Sequence, residues 1–386
     1  MSSKIKITNF NLKINQTKKI NLTKYLKKIT SSEWPEFLKS FKKNYKYSYD
    51  NKLLKKYKYF KNINIIGMGG SSLGSKAIYK FLHHKIKKKL TFSESLNLNK
   101  ENINKGLNII ISKSGNTLET IVNSNLALSK NKKNIFITEN KNNYLKVLAD
   151  KLKVDVVEHK NFIGGRFSVL SEVGMLPSQL MGLSENKFKQ YNRLIVQKKF
   201  LNDLINNTLC TYELIKKKKL NSIILNYDTH SEDFFKWYQQ LVSESLGKNS
   251  KGILPIISSM PKDNHSILQL YLSGFKSNFY TFYIVEEKNS RKLNSKYLFD
   301  KFNILNKKNT FDILNSQRIA TENIFRSKKI PFRSFYIKNR SEETLGELFC
   351  FFTLEVILLS HLLKINPLDQ PQVELVKKET FNILNN

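Results

Sequence analysis

An α/β fold built from mostly parallel sheets flanked by helices is predicted by three observations. Short apolar strands alternate with helical stretches from Asn62 onward, two polar glycine-containing turns each follow such a strand, and 386 residues suffice for two domains with sizeable cores. The strands fall at Ile63–Ile66, Leu107–Ser112, Asn134–Thr138 and Val154–Glu158, and the alternation indicates βαβ units. Strand-like Ser222–Tyr227 opens a second α/β domain, continued by a helix at His230–Leu246 and strands at Asn278–Glu287 and Phe332–Ile337. The expected division is residues 1–60 as an N-terminal helical segment, 61–200 and 201–345 as the two domains, and 346–386 as C-terminal helices.

The elements are justified in chain order by their patterning. Residues 1–60 are polar and Lys-rich, with amphipathic periodicity over Leu22–Phe41 and Lys52–Phe60, read as helices wrapping the first domain. The first strand then runs into Gly67-Met-Gly-Gly-Ser-Ser-Leu-Gly, where glycines let the backbone approach a ligand and a helix starting near Leu73 offers free N–H groups to an anion. Neither the dinucleotide fingerprint nor the P-loop is matched, because Ser72 stands where the former needs glycine and no Gly-Lys-Ser/Thr ending follows. A purely structural strand-to-helix turn is the plain alternative.

The Leu107 strand repeats the design. It leads into Ser112-Lys-Ser-Gly-Asn-Thr-Leu-Glu-Thr, and a helix follows from about Leu118. Turns at the carboxyl ends of parallel strands converge on one crevice, so Ser71, Ser112, Ser114 and Thr117 would offer hydroxyls to a phosphate and Lys113 a positive charge. Helix capping would account for one hydroxyl; four in two turns exceed it.

Later stretches add single groups. Arg166 follows two glycines in Gly164-Gly-Arg-Phe-Ser and has room to project, although any single arginine is by default a surface residue. Glu244 falls in the last turn of its helix, where a carboxylate opposes the dipole, and such a local misfit can mark a functional group. His265 sits at the mouth of another helix. Lys288–Lys308 reads as a polar excursion, and the tail carries two prolines before a helix with Lys377.

Composition narrows the classes. A net charge of +35 invites nucleic acid, but the lysines are spread end to end beside Asn and Ile and no nucleic-acid module organises them, so no such partner is expected. The field would still attract small anions. Cys210 and Cys350, both in apolar settings, read as buried free thiols of a reducing compartment. The start has no signal-peptide core, and the apolar run Leu345–Leu363 contains Glu347, Glu355 and His361, which makes it a core helix and not a membrane span. A soluble cytoplasmic protein is expected. His83-His84 has no further ligand at metal spacing, so no metal is expected.

Six motifs in one order resemble the glucose-6-phosphate isomerase family: G-M-G-G-S-S-L-G from Gly67, S-K-S-G-N-T-L-E-T from Ser112, G-G-R-F-S from Gly164, S-E-S-L-G-K from Ser243, H-S-I-L-Q-L from His265 and N-P-L-D-Q-P-Q-V-E-L-V-K from Asn366. The resemblance implies two sugar-isomerase (SIS) domains with a C-terminal helical arm, and cofactor-free interconversion of glucose 6-phosphate and fructose 6-phosphate in glycolysis and gluconeogenesis. It matches Ser71, Ser112, Lys113, Ser114 and Thr117 to phosphate binding, Gly70 and Gln370 to sugar contacts, Arg166 to the arginine near the reacting carbons, Glu244 to the base, and His265 and Lys377 to ring opening. It also implies a homodimer in which His265 serves the partner's site. Ser72, Val376, Pro371 and Gln372 depart from the family pattern, and the region before Asn62 is shorter than in most members.

The implied chemistry suits these residue types. One carboxylate can carry a proton between C1 and C2 through an enediolate, while a guanidinium stabilises the charge that grows on oxygen. The same domains could also serve a mannose 6-phosphate isomerase or a non-catalytic sugar-phosphate sensor.

Overall fold

The computed structural model describes residues 4–32, 35–96, 106–129 and 132–385. Its strands are β1 (Ile5–Thr8), β2 (Asn62–Ile66), β3 (Lys89–Ser93), β4 (Leu107–Ile111), β5 (Lys133–Thr138), β6 (Asp155–Glu158), β7 (Asn221–Asn226), β8 (Leu254–Ser259), β9 (Asn278–Val285) and β10 (Phe332–Ile337). They form two five-stranded sheets, ordered β3-β2-β4-β5-β6 and β1-β10-β9-β7-β8. The first is parallel throughout, and the second is parallel except for β1, which pairs antiparallel with β10.

Both sheets share one winding. The chain leaves β2 for β3 on one side and then builds β4, β5 and β6 on the other; likewise β8 lies on one side of β7 and β9 and β10 on the other. Each sheet therefore has a switch point, between β2 and β4 and between β7 and β9, where open α/β sheets form a crevice beyond their carboxyl ends. The central strands explain why they were legible in the sequence. Every residue of β4 and of β9 is buried, and strands covered on both faces read as continuous apolar runs.

Three edge strands escaped the sequence reading: β1, β3 and β8. Each mixes buried with half-exposed or exposed positions, as in Lys89-Leu-Thr-Phe-Ser, which breaks the apolar run in β1 and β3; β8 keeps an apolar run, Leu254-Pro-Ile-Ile, but its proline reads against a strand. The N-terminal segment also differs from expectation. The stretch expected as one helix over Leu22–Phe41 is divided: the helix is Gln16–Ser31, and Glu36–Phe41 is a separate 3-10 turn after Pro35. The helix buries Leu22, Leu26 and Ile29 and stacks Tyr25 on His361, with ring centroids 3.6 Å apart, while β1 extends the second sheet. The following turn reaches the first half through Phe37 stacked on Phe167, and the helix Asn51–Tyr57, close to the expected Lys52–Phe60, does so through Lys56 and Tyr57, both 2.7 Å from Asp155 Oδ2. A helix at Thr310–Ser327, beyond the polar excursion, was also missed; it buries only Arg318, Thr321 and Phe325 and is set by an Asn309–Asp312 capping box.

Two helices hold the halves together. Leu73–Phe81 and Glu232–Leu246 lie side by side and antiparallel: Gly69 meets Gln240 at one end, Lys76 Nζ is 3.7 Å from Asp233 Oδ1 between, and His83 stacks on His230 at the other end. The helix Glu342–Leu363 is the apolar core helix the sequence reading expected, buried along nearly its whole length. Its buried carboxylates are paired as buried charges must be: Glu355 with Arg333, Glu347 with Arg193 and Glu342 with Lys85. Cys210 and Cys350 are buried free thiols.

Candidate active site

The glycine turn after β2 is shaped by what touches it. Gly69 has φ +55°, a conformation that disfavours side chains, and a Cβ there would meet Gln240 Nε2 at 2.8 Å. A Cβ on Gly70 would sit 2.2 Å from the carbonyl carbon of Gly165, so two backbones pack directly against each other. Ser168 Oγ donates to Gly70 O at 3.2 Å and fastens the contact. The turn after β2 is thereby fixed to the 3-10 turn Gly165–Leu170, which carries Arg166.

In the turn after β4, Ser112 Oγ and Thr117 Oγ1 lie 2.9 Å apart, and Ser112 Oγ accepts from Gly115 N–H at 3.2 Å. Thr117 is the N-cap of the helix Leu118–Ala127 but its side chain caps no N–H, so capping does not explain these hydroxyls. Ser114 Oγ accepts from Asn116 N–H at 3.3 Å. Lys113 Nζ donates to Asn161 O at 2.7 Å and lies 3.6 Å from Glu139 Oε1; burial pulls its pKa below the ordinary lysine value, against the pull of Glu139. Ser71 is half-buried and its hydroxyl has no hydrogen bond among the described residues. Ser72, one of the departures from the family pattern, is buried and donates to Glu94 Oε1 at 2.7 Å, a bond within the framework.

Arg166 is the hub and is only 2% exposed, contrary to the default for a single arginine. Its NH1 group is 3.0 Å from Glu244 Oε2 and 2.5 Å from Gln370 Oε1, and its NH2 group donates to Pro367 O at 2.6 Å and Asp369 O at 3.1 Å. Burial lowers its pKa and Glu244 opposes that. The guanidinium so ties three distant stretches into one wall and answers the misfit of Glu244 at its helix end.

Two residues of this wall lay inside or beside quoted motifs without receiving a role. Gln240, one turn before Glu244, donates from Nε2 to Glu244 Oε1 at 2.9 Å, while its own Oε1 is buried without a partner among the described residues. The i, i+4 spacing in Gln240-Leu-Val-Ser-Glu was the signal that could have found it. Lys248 pairs with Asp369 at 2.6 Å and donates to Asn366 O, pinning the loop that offers its carbonyls to Arg166.

A single copy of the chain assembles Gly70, Arg166, Glu244 and Gln370. It leaves out two expected groups. His265 ends the 3-10 turn Lys262–His265 after β8 and is exposed, with no side-chain hydrogen bond among the described residues. Lys377 is exposed and pairs with Glu374 at 2.6 Å, on the helix Pro371–Asn385 that buries none of its residues.

A fixed carboxylate 3.0 Å from a buried guanidinium, backed by glycine turns and hydroxyls, is suited to moving a proton next to a developing oxyanion. The comparisons with known proteins give the family. Residues 38–255 match the Phosphoglucose isomerase family. The chain is 32% identical to a glucose-6-phosphate isomerase of Methanocaldococcus jannaschii over 84% of each chain, and 32% identical to one of Mycoplasmopsis pulmonis over 83% of this chain and 82% of that one. Among solved structures, a hypothetical protein from Thermus thermophilus superposes with TM-score 0.80 at 20% identity, covering 96% of this chain and 95% of that one. A glucose-6-phosphate isomerase from Chlamydia trachomatis does so with TM-score 0.64 at 18% identity, covering 96% and 73%. These last two likenesses concern the fold. With the family match spanning more than half of the chain and the identity sustained across most of it, the chain belongs to the phosphoglucose isomerase family.

Proposed function

We propose that this aldose–ketose isomerase interconverts glucose 6-phosphate and fructose 6-phosphate, in glycolysis and gluconeogenesis, with Glu244 carrying the proton between C1 and C2 through a cis-enediolate. The observation that carries the reading is the Arg166–Glu244 pair at 3.0 Å, held where the two glycine turns touch. Glu244 keeps 24% of its side chain exposed and can reach a sugar, whereas Arg166 is held through its NH1 and NH2 groups and supplies a preorganised positive charge to the enediolate oxygen. Gly70, Gln240 and Gln370 border that position. Ser71, Ser112, Lys113, Ser114 and Thr117 hold the phosphate, which positions the sugar carbons against the carboxylate. No cofactor takes part in this proton transfer.

Ring opening requires proton movement at O1 and O5, and His265 with Lys377 are assigned to it. We place them by dimerisation: His265 of the partner subunit completes each site. The helix Pro371–Asn385 favours an assembled form, because Leu375, Val376 and Phe381 are 58%, 69% and 47% exposed in one copy. The location is the cytoplasm, in keeping with two buried free thiols.

Mixing two inactive variants tests the assignment. His265→Ala and Glu244→Gln each abolish turnover alone, but a heterodimer holds one site with native Glu244 and native His265, so subunit exchange restores activity toward half of the native value per heterodimer. Activity that stays at the level of the separate variants after verified exchange contradicts the shared site.

A further inference from the structure

The two sheets are wound alike, and the antiparallel helix pair relates their switch points. At the first, the crevice beyond β2 and β4 is closed by the C-terminal end of the second half's helix, through Gln240 and Glu244. At the second, the crevice beyond β7 and β9 is closed by the residues after the first half's helix, His83 and His84. The catalytic assignment uses only the first. The second is a cavity of about 710 Å³, within the range of small-molecule sites.

The charge around it leans positive: Lys288, Arg291, Lys338 and Arg340 stand against Glu286, Glu287 and the buried Asp228. Asp228 is buried and spent on Arg340, whose NH1 and NH2 groups reach its two oxygens at 2.7 and 2.6 Å. Glu287 faces the same guanidinium at 3.4 Å, and Glu286 accepts from Tyr336 Oη at 3.2 Å. The remaining charged lining is Lys288, Arg291 and Lys338, which are exposed and have no side-chain ion pair among the described residues. Beside them His83 and His230 stack at 3.8 Å, one from each half, with ring N–H groups available to an acceptor. Arg340 Nε is buried without a hydrogen-bond partner among the described residues.

We propose that this second crevice is a binding site for a small, multiply charged phosphate ester, separate from the catalytic site. Three unpaired cations converge on a switch-point cavity, and imidazoles from the two halves supply donors. Asp228 and Glu287 share Arg340, and Glu286, which keeps its charge, accepts from Tyr336, so the cations outnumber the carboxylates by one. Because His83 and His230 come from different halves, an anion held between them also fastens the two halves together at the end of the helix pair remote from Glu244.

The test reads the site directly. The full-length chain with isotope-labelled histidines is titrated with inorganic pyrophosphate by NMR at pH 7, in saturating fructose 6-phosphate. Expected are saturable shifts of the His83, His84 and His230 ring signals, with His361 unmoved. The combined variant Lys288→Gln, Arg291→Gln and Lys338→Gln, whose positions are all exposed, weakens that binding at least tenfold while turnover is unchanged. His230→Gln does the same by removing the stacked imidazole. Absence of saturable shifts at these rings overturns the proposal, as does equal affinity in the charge variant.

Discussion

The two switch-point crevices share a winding and differ in what lines them. The first is bordered by two turns of glycine, serine and threonine, and its charges, Arg166 and Glu244, face each other at 3.0 Å across the junction of the halves. The second has Asp228 and Arg340 locked in a two-pronged pair and is rimmed by imidazoles and lysines. Topology alone therefore provides two places to bind an anion. Chemistry requires a carboxylate that is held but still reachable: Glu244, 24% exposed, is bonded at both oxygens by Arg166 and Gln240, whereas in the second crevice Asp228 is 5% exposed and Glu287, 47% exposed, has only a 3.4 Å contact with Arg340.

The sharpest way to break this contrast is to empty the first hub. Arg166→Met leaves Glu244, Gln370 Oε1 and the carbonyls of Pro367 and Asp369 without their donor. Turnover should fall by about 10²–10³-fold, as when a fixed oxyanion donor is lost. Stability, read from the urea midpoint, should drop by about 3 kcal/mol. A variant with near-native turnover would remove Arg166 from the chemistry.

A second difference lies in the histidines behind each crevice. His159 backs the first, is 3% exposed, and its Nδ1 lies 3.1 Å from Lys160 O; burial pushes its pKa down to about 4. The unfolded chain binds this proton near pH 6.5, so the folded state should lose stability as pH falls from about 6.5 to 4 and keep it above that window. The full effect is about 3 kcal/mol, and His159→Gln should flatten the stability profile measured by urea denaturation across those pH values. An unchanged profile would contradict the burial account. Burial and then the neighbouring His83 lower the pKa of His230 as well, but that ring is only half-buried, so His230→Gln should change the same profile in the same direction and by less.

The smallest effect concerns the hydroxyls. Ser112→Ala with Thr117→Val removes a pair 2.9 Å apart and should raise KM for the sugar phosphate about tenfold, the cost of a hydrogen bond to a charged group, with kcat changed less. Equal losses in kcat and kcat/KM would mean that these hydroxyls act on the transition state and not on the phosphate.

Much of this contrast was legible in the sequence, and the rest was hidden for physical reasons. β4 and β9 announce themselves because both faces are covered, whereas β1 and β3 lie at sheet edges where one side is wet and the apolar pattern breaks, and Pro255 disguises the edge strand β8. Glu244 stood out as a carboxylate at the wrong end of a helix, and Arg166 through the two glycines before it, which turn out to allow the close approach of Gly165 to Gly70. Lys248 was hidden because its role depends on Asp369, far along the chain, whereas the bond of Gln240 to Glu244 is local and only its contact with the turn at Gly69 was out of reach. His265 and Lys377 were legible only as parts of motifs, and a single subunit leaves both at its surface.

The central claim is that proton transfer belongs to Glu244 and to the first crevice alone. Its most direct measurement is a coupled assay of fructose 6-phosphate conversion to glucose 6-phosphate, with Glu244→Gln beside the native chain and sugar-phosphate binding measured in both. The account predicts that the variant binds fructose 6-phosphate within about threefold of the native affinity and loses about 10³-fold or more in kcat, because an amide can still accept from Gln240 but cannot take up the proton. A variant that retains more than about a tenth of native turnover would place the base elsewhere.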